Sequence, residues 1–167
     1  MKNSSIVIVS TLVLVALLGL FYFAGQNQAV APADTRNFSV ADLTASEKTY
    51  DFGTISMAKG VVERVFIISN RTASDIIVQN IITSCMCTVA YIEGGSLNKG
   101  PFGMPGHGGP QGVVNETVDA GESRQIRVVF DPNAHGPAGV GPFVRQILIS
   151  DAKGKSLQLE IKGNVRP

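Results

Sequence analysis

Ser156-Leu-Gln-Leu-Glu-Ile-Lys-Gly-Asn-Val165 alternates cleanly, with Leu157, Leu159 and Ile161 on one side and Gln158, Glu160 and Lys162 on the other. A period of two marks a strand with one buried face and one wet face. Further back, Glu122-Ser-Arg-Gln-Ile-Arg-Val-Val-Phe130 repeats the pattern: Ile126, Val128 and Phe130 oppose Gln125 and Arg127 until Asp131-Pro132 stops the run. Thr49 to Ile55, Val61 to Ser69, Asp75 to Thr83 and Phe143 to Ser150 read as further strands, punctuated by Gly60, the polar turn Asn70-Arg-Thr-Ala-Ser74, and Gly121. Long stripes of helical period are missing. About seven strands at roughly 8 to 12 residue spacing predict an all-β antiparallel sandwich.

One segment breaks the rhythm. Gly94 to Gly112, GGSLNKGPFGMPGHGGPQG, holds eight glycines and three prolines among 19 residues. Glycine raises the entropic cost of ordering and proline removes ladder bonds, so the segment reads as a mobile excursion that is neither strand nor helix.

The chain opens differently. Ile6 to Ala24 carries no charge, and its 19 residues at about 1.5 Å each span roughly 28 Å, close to the hydrocarbon thickness of a bilayer. Lys2 precedes this run and the next basic residue is Arg36, which predicts a cytoplasmic tip at residues 1–5, a single transmembrane helix at 6–24, and everything later outside the cytoplasmic membrane. The best small-x-small site, Ala29-Val30-Ala31, is followed by Pro32, a poor arrangement for a signal peptidase, so the run reads as an uncleaved signal-anchor. Residues 25–47 lack periodicity and read as a tether. Residues 48–167 then form one domain of ordinary size.

The formal net charge is +1 and tryptophan is absent. Neither a basic surface nor an aromatic stacking platform is present to hold nucleic acid, and none is expected as a partner.

Tyr50-Asp-Phe-Gly-Thr-Ile55, the strand end Ser69-Asn70, Ser84-Cys-Met-Cys-Thr88, Ala120-Gly-Glu-Ser123, Val129-Phe-Asp-Pro132 and Gly141-Pro-Phe-Val-Arg145 occur in order. This ordered set resembles the bacterial family catalogued as domain of unknown function 1573. The resemblance implies an exported immunoglobulin-like sandwich, similar to Hydin-type and abnormal-spindle modules, with no established catalytic activity. The chain departs from the family at Met86, where glycine is frequent, and in the length of the Gly94 to Gly112 excursion.

Cys85 and Cys87 are the only cysteines. In an extended strand they would share a face about 6.6 Å apart, whereas bonded cysteines bring their Cβ atoms to about 3.8 Å. A direct disulfide therefore requires a turn or bulge at Met86, and so short a ring would be comparatively easy to reduce. Three readings stand side by side. The first makes the cysteines small buried hydrophobes at a strand end, with Met86 filling the core. The second makes Cys85 and Cys87 a redox or disulfide pair, as unburdened thiols in an oxidising space tend to become. The third adds Met86, Met104 and His107 to the two sulfurs as a soft copper site, with zinc incomplete unless His135 contributes.

His107 and His135 both fall in Gly/Pro-rich loops and read as solvated imidazoles. A nucleophile with His and Asp partners would need two loops to converge, and no spacing signals it, so no enzyme and no resident cofactor is expected. The sequons at Asn37, Asn70 and Asn115 sit where surface asparagines commonly sit. The expectation is thus a membrane-anchored immunoglobulin-like module that binds or assembles with another envelope protein, with copper handling or thiol redox chemistry at Cys85-Met86-Cys87 as the alternative.

Overall fold

A computed structural model describes residues 42–95, 98–107 and 112–167. The expected transmembrane helix at 6–24, the cytoplasmic tip and most of the tether lie outside the described residues. Among the described residues, no helix is long and apolar enough to cross a membrane.

Ten strands occur in the described residues: β1 (Leu43–Ala45), β2 (Thr49–Ser56), β3 (Val62–Asn70), β4 (Ile76–Thr83), β5 (Thr88–Glu93), β6 (Lys99–Phe102), β7 (Val113–Val118), β8 (Ser123–Phe130), β9 (Gly141–Asp151) and β10 (Ser156–Arg166). Single 3-10 turns follow β2 at Met57–Lys59 and precede β9 at Gly136–Gly139. The strands form two five-stranded sheets, ordered β1-β3-β8-β5-β6 and β2-β10-β9-β4-β7. The all-β sandwich read from the sequence is present.

Alternation explains what faces inward. Leu157, Leu159, Ile161 and Val165 of β10 are buried, as are Ile126, Val128 and Phe130 of β8. They join Phe66, Ile68, Val78, Ile81, Ile147 and Ile149 in one cluster drawn from both sheets, and each such side chain contributes about 1.5–3 kcal/mol by leaving water. Phe130 of β8 and Phe143 of β9 stack across the gap between the sheets, centroids 4.1 Å apart and planes 9° from parallel.

In β4, Ile76 and Val78 point inward at even positions, yet Ile81 and Thr83 do so at odd ones. The pairing of β4 with both neighbours shifts between Val78 and Asn80. An extra residue in one strand flips the parity of all that follows. Thr83 is therefore aimed into the protein just ahead of the two cysteines.

Several expectations change. Among the described residues the strand count is ten rather than about seven, and β1, β5, β6 and β7 lie outside the six runs quoted above as strands. Among the described residues pairing is already present at Leu43, ahead of Lys48: Leu43 is buried, β1 lies antiparallel on β3, and Lys155 Nζ holds the Asp42 carboxylate at 2.7 Å. β2 and β10 run parallel, so the sandwich is not wholly antiparallel. The Gly94 to Gly112 segment does contain a strand: Lys99–Phe102 pairs with β5 at Ala90↔Phe102 and Ile92↔Lys99. As an outermost strand it leaves one side of its ladder unpaired, which is where a proline such as Pro101 is tolerated. Asn70 is fully buried. Its Nδ2 donates to the carbonyls of Ser74 and Val118 at 2.8 and 2.9 Å, so this sequon is a strand-end clasp and not a surface asparagine.

Candidate functional site

Two strand registers build the site. Thr88 of β5 pairs with Phe130 of β8, so the residues just before Thr88 meet those just after Phe130. Thr83 of β4 pairs with Ile147 of β9, so the residues just after Thr83 meet those just before Ile147. The β4–β5 connection, Ser84 to Cys87, is thereby set between the loop 131–140 and the start of β9.

The connection is a turn. Thr88 N–H donates to Cys85 O at 3.1 Å, making Met86 and Cys87 its central residues. The Cα atoms of Cys85 and Cys87 stand 5.3 Å apart and the two sulfurs are joined as a disulfide. Met86 is 51% exposed, which corrects the expectation that it fills the core; the turn that lets its neighbours meet directs it outward.

Three anchors hold the turn. The Thr83 hydroxyl lies 3.1 Å from Cys85 O and 2.9 Å from Thr88 O, sharing its hydrogen between both ends. Ser84 exchanges two bonds with Gln146 of β9: its N–H donates to Gln146 O at 3.0 Å and its Oγ accepts from Gln146 N–H at 2.9 Å. Asp131 N–H donates to Cys87 O at 2.8 Å.

The loop after β8 is shaped by its own polar contacts. Asp131 Oδ1 accepts from Asn133 N–H at 2.8 Å, and Asn133 O accepts from Gly136 N–H at 2.9 Å. A Cβ at Gly139 would stand 3.2 Å from Pro132 O and 3.4 Å from His135 Cβ, so the loop folds back closely on itself. The outcome is that His135 Nε2 lies 3.1 Å from Cys85 Sγ. From the other side Arg145 Nε donates to Cys87 Sγ at 3.1 Å. Cys87 N–H also donates to Cys85 Sγ, at 3.3 Å. Cys87 is buried, Cys85 is half-buried and His135 is exposed, which grades the site from interior to solvent.

Donor atoms of Cys85, Cys87 and His135 lie within 4.8 Å of one another, forming the His/Cys/Asp/Glu cluster with metal-binding spacing among the described residues. His107 is not in that cluster. His107 N–H turns back to Met104 O at 3.4 Å, and the neighbouring Gly103 O accepts from Thr83 N–H at 3.2 Å. The convergence that sequence spacing did not signal exists between Cys85 and His135. Only the pairing of β5 with β8 could have revealed it, since 50 positions separate the two residues. Arg145 was missed for the same reason, although it stands within the quoted motif Gly141 to Arg145.

A second polar group is structural. Glu116 of β7 is buried, with Lys99 Nζ at 2.8 Å from one carboxylate oxygen and Arg124 Nε at 3.3 Å from the other. Burial pushes the Glu116 carboxyl up, but the Lys99 and Arg124 cations outweigh it and hold the group below the usual carboxylate range. Lys99 also donates to Val114 O and Asn115 O at 3.1 and 2.9 Å. The cluster thus latches β6, an edge of one sheet, to β7, an edge of the other.

An all-β sandwich with a Cys-x-Cys turn at one end is the class these features define. Residues 43–103, strands β1 to β6 with the cysteine turn, match the family described as Protein of unknown function (DUF1573). The resemblance holds over that segment, which stops short of the later members of the ordered set from Tyr50 to Arg145 and excludes His135 and Arg145. No curated protein matches the chain.

Solved structures are similar to this chain. A protein of unknown function from Porphyromonas gingivalis W83 is 12% identical, with TM-score 0.54, over 76% of this chain and 48% of its own. This chain therefore spans about half of that one. A family 123 glycoside hydrolase from Clostridium perfringens is 8% identical, with TM-score 0.51, over 71% of this chain and 23% of its own. The PapD-like domain 7 of human CEP192 is 12% identical, with TM-score 0.43, over 81% of this chain and 92% of its own. At such identities the likeness to the first two is one of fold.

Proposed function

We propose that the protein is an exported immunoglobulin-like module, held at the outer face of the cytoplasmic membrane by residues 6–24, whose Cys85–Cys87 pair exchanges disulfides with another envelope protein. One observation carries the redox reading: each sulfur has its own partner able to stabilise a thiolate. Cys85 has His135 Nε2 at 3.1 Å and Cys87 has Arg145 Nε at 3.1 Å. A disulfide that only braced a turn would have no use for two such partners.

The step follows from the difference in access. A thiolate of a partner dithiol attacks Cys85 Sγ, the more exposed sulfur; the Cys85–Cys87 bond breaks and Cys87 leaves as a thiolate beside Arg145. The partner's second thiolate attacks its own sulfur in the mixed disulfide, closing a disulfide in the partner and releasing Cys85 beside His135 and the Cys87 N–H. Two electrons pass from partner to pair, and the protons of the partner's thiols go to the two new thiolates or to solvent. Met86, Val140 and Val144 are exposed and belong to the same three segments as Cys85, His135 and Arg145, so a protein partner gains apolar contact that a small thiol would not.

A docking role without chemistry is the second reading, favoured by Val65 and Ile67, exposed neighbours on the outer face of β3. Thiol counting separates the two. The full chain is treated with a dithiol under native conditions and its free thiols are counted while its fold is followed by circular dichroism. Two thiols appearing with the sandwich intact support exchange. Thiols that appear only with denaturant would leave docking as the function, to be tested by partner capture with the Cys85→Ser/Cys87→Ser variant.

A further inference from the structure

We infer that the reduced pair, together with His135, forms a three-coordinate Cu(I) site that the disulfide state abolishes. The inference rests on the redox reading in one respect: the thiols must be reached by a dithiol reductant, which supplies two electrons and two protons to the disulfide. Binding of one Cu(I) then displaces those two protons.

Geometry, access and charge each support it. Ligand atoms about 2.0–2.3 Å from a trigonal ion stand roughly 3.5–4 Å apart, and the two sulfurs and an imidazole nitrogen here lie within 4.8 Å of one another. Opening the S–S bond leaves the sulfurs free to reach that spacing, because Met86 between them is unpacked and 51% exposed. Entry is from solvent past the exposed His135 ring, with the half-buried Cys85 next and the buried Cys87 last. Thiolates and imidazole are the soft set that selects Cu(I).

Charge decides between metals. Two thiolates and Cu(I) carry a net −1, which the Arg145 guanidinium at 3.1 Å from Cys87 Sγ brings to zero. Zn(II) with the same ligands and Arg145 would leave +1 in a partly buried site, and it would need a fourth ligand. Arg145 is therefore a counter-ion to the metal cluster. The ligand set differs from the one built on Met86, Met104 and His107: His135 replaces all three.

The test is an anaerobic Cu(I) competition titration against a chromophoric chelator, on the full chain in detergent after reduction by a dithiol in denaturant, refolding and removal of the reductant. One Cu(I) per chain is expected for the reduced parent and none for the disulfide form. His135→Ala should weaken binding by at least about tenfold, the lower scale of losing even an outer partner of a metal site, while Met104→Leu and His107→Ala leave it unchanged. Circular dichroism of each variant separates loss of a ligand from loss of fold. Unchanged affinity in His135→Ala, a drop in Met104→Leu or His107→Ala, or tighter binding of Zn(II) than Cu(I) overturns the assignment. Chemical reduction makes this readout independent of exchange with protein dithiols: a chain that binds Cu(I) without exchanging disulfides sinks the redox reading alone, and one that exchanges without binding sinks this inference alone.

Discussion

The Arg145 guanidinium, on β9, donates through Nε to Cys87 Sγ in the β4–β5 turn at 3.1 Å, across 58 positions of sequence. The contact holds a fixed positive charge against the sulfur that is buried, the one that must leave when Cys85 is attacked. A charge-assisted bond of this kind contributes about 1.5–3 kcal/mol, and a thiolate stabilised in this way leaves faster.

Arg145→Gln should accordingly slow reduction of the pair by a dithiol by roughly threefold to tenfold. Arg145→Lys, which keeps the charge, should recover part of the rate. Stopped-flow reduction of folded protein measures both; equal rates in parent and Gln variant would show that Arg145 has no part in thiolate release.

Thr83 ties the two ends of the cysteine turn through one hydroxyl, 3.1 Å from Cys85 O and 2.9 Å from Thr88 O. Thr83→Val keeps the shape and removes the donor, so stability should fall by about 1 kcal/mol. Reduction should also become faster, because the turn no longer holds the sulfurs in register. Urea unfolding of the oxidised and reduced forms is the measurement, and a loss confined to the reduced form would contradict the anchoring role.

Gly163 lies where the β2–β10 pairing shifts register, between Lys162 and Asn164. A Cβ there would stand 2.9 Å from Gly53 O and 2.9 Å from the Phe143 ring. Since one of those atoms is backbone, Gly163→Ala should destabilise the sandwich by roughly 1–3 kcal/mol. Thermal unfolding gives the figure, and a neutral result would mean that β2 and β10 separate more readily than their pairing implies.

Removing Glu116 leaves Arg124 buried without its carboxylate, and Glu116→Ala should cost about 3 kcal/mol. The contribution depends on pH with a definite sign. The carboxyl is held below its usual range in the folded protein, so its stabilisation is complete above the unfolded value of about 4.3 and disappears as pH falls through the lowered folded value. The stability gap between parent and Glu116→Gln should therefore be widest near neutral pH and close on acidification below about pH 4. A gap that widens in acid would reverse the assignment.

Alternation in β8 and β10 depends on residues two apart and is written into any stretch long enough to show it, so the all-β sandwich was legible from Leu157, Leu159, Ile161 and Ile126, Val128, Phe130. Arg124 escaped that reading because it shares the inward parity of Ile126, and a buried cation makes sense only once Glu116 stands opposite. Lys99–Phe102 escaped because a short edge strand draws its order from β5 and from the Lys99 contacts with β7, not from its own residues.

The sequence by itself determined that Cys85 and Cys87 sit where a strand ends and that they could meet only through a turn at Met86, since both facts concern neighbours along the chain. What surrounds the pair was decided by tertiary structure. His135 and Arg145 reach the sulfurs because Thr88 pairs with Phe130 and Thr83 with Ile147, and such registers are settled by the packing of whole sheets. A bulge near Gln79 fixes which of them points Thr83 inward. Local pattern sets periodicity, whereas the meeting of residues 50 to 60 positions apart depends on the long-range register that closes the core.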